Sequence, residues 1–329
     1  MGGGEGKGHG KDGFENQDSF FSNLGQGIFG VFDGHGRAGY KAANLVCDAV
    51  KDLTTREILA IEGESIAAKM TKLFKEIDEM LSGEIAHTSL AGGTTASLLL
   101  VDRATGAATV AHVGDSEVWY FDGSSTYSPH IDPVSALGLS DGHQFTADHS
   151  VLSLTEYSRM STIPGLPPPK IQFDPLDPSS QAGRDAFVQI DGVTQVNPEG
   201  GYKVCTAGGE HAAYIFGPAG ERLAMTRSLG DFNMKKCGHL TAVPSVISTP
   251  PIPDGIARTF VIASDGLWDV LTPADVKQIL SDPFNATAST AEEALMLAAR
   301  AKSIQYFGMG GDDITVIVVK VWKEVPERL

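Results

Sequence analysis

The sequence predicts an α+β fold in which sheets stacked as a sandwich are covered by helices, and three observations carry that prediction. Apolar residues recur at helical spacing in two consecutive stretches, 38–53 and 66–85. Three short apolar runs between 94 and 121 are separated by gaps too short to hold a crossover helix, so neighbouring strands there are expected to be antiparallel. Helices thus come in pairs and strands in hairpins, which argues against a doubly wound parallel sheet.

Taken in order, the opening GGGEGKGHGKDG is too glycine-rich for a helix and reads as a flexible lead. It fails as a phosphate loop, because Lys7 is followed by Gly8 and no strand precedes it. SFFS (19–22) and GIFGVFD (27–33) read as strands joined by Leu24-Gly25-Gln26. The first helix places Ala38, Ala42, Leu45, Val46, Ala49, Val50 and Leu53 on one face. The second aligns Ile66, Met70, Leu73, Phe74, Ile77, Leu81 and Ile85. TTASLLLV, ATVAHVG and EVWYF follow as strands, with turns at Arg103–Gly106 and Gly114–Ser116. From 150 to 222 the pattern breaks among prolines (Pro164, Pro167, Pro168, Pro169, Pro175, Pro178) and glycines around Gly200 and Gly208. A stretch this long with so little pattern is expected to be a lid or insertion on a single domain spanning 1–329. Order returns with the strand TFVIASDG, the helix PADVKQIL, a helix near 290–307 and a closing strand in DITVIVVKVW.

Bulk properties narrow the function. The chain has 329 residues, 42% of them hydrophobic, enough for a substantial core. A formal net charge of -16 argues against nucleic-acid binding, which requires Lys and Arg to neutralise phosphates. Cys47, Cys205 and Cys237 form neither a CxxC pair nor an even disulfide set, which suits a reducing compartment. No signal-peptide core and no membrane-length apolar run is present. Gly6 stands where a myristoylation signal needs Ser or Thr. A cytoplasmic protein is expected, with the nucleus also open.

The chemistry lies in acids at the ends of apolar runs, each next to glycine. Asp33-Gly34-His35-Gly36 ends GIFGVF, Asp115 follows ATVAHVG, Asp265-Gly266 ends TFVIAS, and Gly311-Asp312-Asp313 opens the last strand. One such Asp is usually a turn former. Four of them beside buried strands would repel one another unless neutralised, and hard cations with oxygen ligands supply that neutralisation.

These residues fall within fragments that resemble the metal-dependent serine/threonine protein phosphatases of type 2C. In order they are NQD (16–18), VFDGHG (31–36), GGTTA (92–96), VGDS (113–116), TADH (146–149), TRSLGD (226–231), ASDGLWDV (263–270) and GDDITVIVV (311–319). The resemblance covers almost the whole chain. It implies two packed antiparallel β-sheets flanked by pairs of antiparallel helices, and hydrolysis of phosphoserine and phosphothreonine in phosphoproteins by an enzyme expected to be a monomer. It further implies two Mg²⁺ or Mn²⁺ ions, roughly 3.5–4 Å apart, that share an attacking water. By resemblance Asp33 bridges both ions, Gly34 lends its carbonyl oxygen to one, and Asp265 and Asp312 hold the other. Asp18 orients the water, and His35 is the general acid for the departing oxygen. Asp115 reads either as a turn residue or, with Asp265, as a ligand of a third, weakly held ion. Asp148-His149 and Arg227-Asp231 read as braces of the cleft, and Thr94, Thr95, Trp119 and Trp268 as core or strand residues.

Three positions depart from the family pattern. Gln17 stands where many members carry Glu, so an uncharged amide would face the ion or its waters. Gly13 stands where animal members place a phosphate-binding Arg, leaving Lys11 either as a point-charge substitute or as a solvated side chain. Glu117 replaces an Arg after GDS, which the sequence alone does not explain. The alternatives to an active phosphatase are a pseudophosphatase scaffold, which would be expected to lack the ion-binding acids, and a metal-dependent nuclease or small-phosphoester hydrolase.

Overall fold

The computed structural model describes residues 2–7, 16–56, 63–85, 92–124, 139–173, 184–197, 204–206, 209–281, 290–307 and 311–323. Lys11, Gly13, Pro175, Pro178, Gly200 and Gly208 lie outside them.

The first half of the chain runs β1 (Gly2–Lys7), β2 (Asp18–Asn23), β3 (Ile28–Gly36), α1 (Gly39–Arg56), α2 (Ile66–Ile85), β4 (Gly92–Thr94), β5 (Ala96–Val101), β6 (Ala108–Val113), β7 (Glu117–Ser124) and β8 (His143–Gln144). Next come α3 (Leu154–Ser161), β9 (Ile171–Phe173), β10 (Arg184–Asp185), β11 (Phe187–Ile190), β12 (Val193–Val196), β13 (Val204–Thr206), β14 (Gly209–His211), β15 (Ala213–Phe216) and β16 (Arg222–Leu223). The last part holds β17 (Leu229–Gly230), α4 (Phe232–Lys235), β18 (Ser245–Thr249), β19 (Ile256–Ala263), α5 (Asp265–Trp268), α6 (Pro273–Ser281), α7 (Ala291–Phe307) and β20 (Thr315–Trp322).

Two antiparallel sheets form the centre. One runs β17-β4-β3-β5-β6-β18 with β2 beside β3, and the other β1-β20-β19-β7-β8. Side-chain alternation along each strand sorts residues into layers. In β3, Phe29 and Val31 pack between the sheets, while Ile28 and Phe32 face α1 and α2. In β19, Phe260 and Ile262 join the middle layer, while Val261 and Ala263 face α5, α6 and α7. Runs such as Ala96–Val101 are buried throughout, and apolar but for Ser97, because both of their faces are covered. The predicted sandwich of sheets covered by helices is thus the observed one, and both long helices match their predicted spans closely.

Three expectations need correcting. The glycine-rich lead contains an edge strand, β1, in antiparallel register with β20 from Gly2↔Lys320 to Lys7↔Thr315. Ladder pairing uses the main chain, so a segment almost without side chains can still join a sheet. Second, β5 and β6 pair, but β6 and β7 belong to different sheets. The turn at Gly114–Ser116 carries the chain across the sandwich, which turn length alone does not reveal. Third, 150–222 holds regular structure: α3, the sheet β10-β9-β15-β16 and the hairpins β11-β12 and β13-β14. Val151, Met160, Ile171, Phe173 and Ile215 give it a core of its own, which Leu223, Met225, Met234 and Leu240 extend.

Candidate metal centre

The acids gather at one end of the sandwich because the strands that carry them end or begin there. Asp18 opens β2 opposite Asp33 in register. Asp265 follows β19, Asp312 precedes β20, and Asp115 lies in the crossing turn between β6 and β7. Asp33 is held well above the usual carboxylate range, first by burial and then by the charges of Asp18, Asp265, Asp312 and Asp115. Asp18 is pushed up to about 7 by burial, with Asp313 and Asp265 adding to the rise and the neighbouring hydroxyls of Thr315 and Ser264 opposing it. Both sheets therefore contribute to one ring of mutually repelling carboxylates.

Close packing fixes this ring. A side chain on Gly34 would run into the carbonyl oxygens of Gly39 and Gln17, and one on Gly266 into that of Asp313. The Thr95 amide donates to the Asp33 carbonyl at 2.8 Å and the Thr94 hydroxyl donates to it at 2.9 Å. The Asp33 amide donates to the Thr95 hydroxyl at 3.0 Å. The two threonines are therefore more than core residues, since they hold the main chain of the central acid. Ser264, also missed by sequence reasoning, donates its hydroxyl to Asp18 Oδ2 at 3.0 Å. The Gln17 amide donates to Asp313 Oδ2 at 2.8 Å, and its side-chain Nε2 donates to the Gly36 carbonyl at 3.0 Å.

The site fits divalent cations by its donors. They are hard oxygens, and no basic group is among the main influences on Asp33 or Asp18. Asp18 Oδ1 and Asp313 Oδ1 are buried without a hydrogen-bond partner, an arrangement that costs free energy unless something satisfies them. Among the described residues no three ligand side chains already close on one point. The ring is one site electrostatically and an open one geometrically.

His35 stands beside it on β3. Its Nε2 lies 2.7 Å from Asp231 Oδ2. Burial works against its charge, but Asp231, with Asp115 and Asp265 further off, outweighs burial and holds the imidazole above its ordinary pKa. Arg227 is clamped by the buried Glu156, at 2.6 Å from Nη2 and 3.0 Å from Nε. His149 stacks on His112 with ring centroids 4.1 Å apart. Burial drives both rings below the ordinary imidazole range, His149 to about 2. Glu117 gains an account, for its Oε2 accepts from the Trp119 indole at 2.5 Å and its carbonyl from the Trp268 indole at 3.2 Å.

Comparison with known proteins gives the chain's family and the likeness of its fold. The family model described as protein phosphatase 2C matches residues 6–174 and 189–305. The curated relative named probable protein phosphatase 2C 35 from Arabidopsis thaliana is 24% identical over 94% of this chain and 79% of its own. Protein phosphatase 1L from Bos taurus is 26% identical, covering 95% and 69%. Among solved structures, serine-threonine phosphatase 2C from Toxoplasma gondii superposes with a TM-score of 0.60 at 16% identity, covering 97% and 94%. A bacterial serine phosphatase superposes with a TM-score of 0.58 at 17% identity, covering 99% of each chain. The chain belongs to the protein phosphatase 2C family, whose members are serine/threonine protein phosphatases.

Proposed function

We propose that this chain removes phosphate from phosphoserine and phosphothreonine in phosphoproteins with two Mg²⁺ or Mn²⁺ ions held by the acid ring. The observation that carries the reading is the group of acids around Asp33, drawn from both sheets and including the incompletely satisfied Asp18. Asp33 and the Gly34 carbonyl would serve one ion, with Asp33 also reaching the second beside Asp265 and Asp312. Asp18 lines the same space, and Gln17 flanks it with an uncharged amide. Asp115 and Asp265 would take a third, weaker ion. When bound, such ions lower the pKa of water and offset charge on the phosphoryl oxygens.

The protein's own groups do the rest. His35, held above its ordinary pKa, supplies the proton that the seryl or threonyl oxygen needs as it departs. Thr94 and Thr95 keep Asp33 in place, and the glycines at 34 and 266 let the main chain close around the site. The whole chain acts as one catalytic domain, with 150–222 as a flap that selects protein substrates.

Chelation tests the reading. EDTA should abolish hydrolysis of phosphopeptides and of p-nitrophenyl phosphate, and excess Mn²⁺ or Mg²⁺ should restore both. Full activity in a sample shown metal-free by elemental analysis would sink it.

A further inference from the structure

We infer that Asp231 is the positioning residue of His35. The inference rests on the reading of His35 as general acid and adds to it a partner.

Three features of the chain are given over to this pair. Asp231 sits at φ 48° and ψ 39°, in left-handed backbone that a non-glycine residue seldom adopts. It is the N-terminal cap of α4, yet its carboxylate makes no capping bond to that helix. It turns instead to His35 Nε2 at 2.7 Å and accepts the Ser228 hydroxyl at 2.7 Å. The capping bond is forgone while the backbone holds a conformation that few non-glycine residues adopt. Such an outlier points to a role outside the helix it caps.

The surroundings hold the carboxylate in place. The Asp231 amide donates to the Gly92 carbonyl at 3.1 Å, and a side chain on Gly93 would collide with Asp231 Oδ2. Gly230, in positive φ, donates its amide to Asp78 Oδ1 of α2 at 2.8 Å, and Lys235 reaches the same oxygen at 2.6 Å. Asp231 is nearly buried, its side chain 8% exposed against 22% for His35. The other ring nitrogen, Nδ1, is buried and has no partner in the protein.

An acceptor on Nε2 fixes the ring's orientation. As the P–O bond to the seryl oxygen breaks, its electron pair goes to that oxygen, which takes a proton from the imidazolium. The imidazole is left neutral and still held by Asp231. The attacking water gives its oxygen and one proton to the phosphate, and its other proton restores the imidazolium. Asp231 stays ionised throughout and stabilises the imidazolium before transfer. The logic is that of the Asp–His pair of serine proteases.

The test compares Asp231→Asn and His35→Gln with wild type on a phosphothreonine peptide and on p-nitrophenyl phosphate. Asn tolerates left-handed backbone and keeps the shape. Asp231→Asn should lose about 10²-fold or more in kcat on the peptide and less than tenfold on the aryl phosphate, whose leaving group needs no proton. Mn²⁺ affinity by calorimetry should stay at the wild-type value. The double variant should be no worse than His35→Gln alone, since the two act as a unit. Equal losses on both substrates, or losses that multiply in the double variant, would overturn the inference. If His35→Gln is selective for the peptide and Asp231→Asn is not, only the role of Asp231 falls. If His35→Gln is not selective, the acid assignment falls with it. Should Asp231→Asn fail to fold, Ser228→Ala provides the same reading, with a smaller loss confined to the peptide; a loss shared by both substrates would overturn the inference.

Discussion

At the scale of single residues, the acid ring favours function at the expense of the metal-free fold. Asp33 is buried among four like charges, so Asp33→Asn should reduce turnover on the order of 10²–10³-fold. The same change should raise the melting temperature of the metal-free protein by a few degrees, because it removes repulsion without changing volume. Calorimetric scans in EDTA check this, and a fall in melting temperature would mark Asp33 as structural. The stacked imidazoles make the opposite kind of prediction. His149 is folded with a pKa of about 2 against 6.5 for the free group, so the pair is neutral in the fold. A depressed histidine pKa gives stability that is complete above 6.5 and lost as pH falls below it, by up to about 1.4 kcal/mol per unit for each ring. The difference in melting temperature between His149→Gln and wild type should therefore move in the variant's favour from pH 7 to pH 5. A difference that does not change with pH would refute a neutral buried His149.

At the scale of elements, legibility followed length. The helices α1 and α2 repeat their apolar spacing over 18 and 20 residues, and were readable because several turns agree. The strands within 150–222 are two to four residues long, too short for alternation to register. Ser153-Leu154-Thr155-Glu156 carries the spacing of a capping box, and the Ser153 hydroxyl does accept from the Glu156 amide at 3.4 Å. The glutamate carboxylate, however, serves Arg227, Arg159 and Thr226, tying α3 to the segment that leads into Asp231. Partners 71 residues apart leave no trace in local pattern. The same holds for His35 and Asp231, 196 residues apart, and for the threonine hydroxyls on Asp33, whereas the acids beside glycine were legible as a group. If the 150–222 unit is a flap that selects substrates, shortening the proline run at 164–169 should change rates on phosphoproteins and spare p-nitrophenyl phosphate. Equal loss on both would show that the unit supports the chemistry itself.

At the scale of the whole molecule, the two sheets meet through a layer of side chains. Phe29, Val31, Leu99 and Val110 from one sheet lie against Val118, Phe260, Ile262 and Ile317 from the other. Among the described residues no strand of one sheet pairs with a strand of the other. Above this layer the acids of both sheets share one space, so ions bound there would add a clasp to the packing and to the Ser264–Asp18 and Gln17–Asp313 hydrogen bonds that already join the two halves. A ligand that binds only the folded state stabilises it by about 2.7 kcal/mol at a hundred times its dissociation constant. Here that stabilisation would reach both halves together. Amide hydrogen exchange in β3 and in β19 should therefore slow in step as Mn²⁺ is added, though neither strand gains a hydrogen bond. Slowing confined to one sheet would show that the ions are held from one side alone. An enzyme built this way would grow tighter as its cofactor concentration rises, and the ion that equips it for catalysis would also set how often its sheets part.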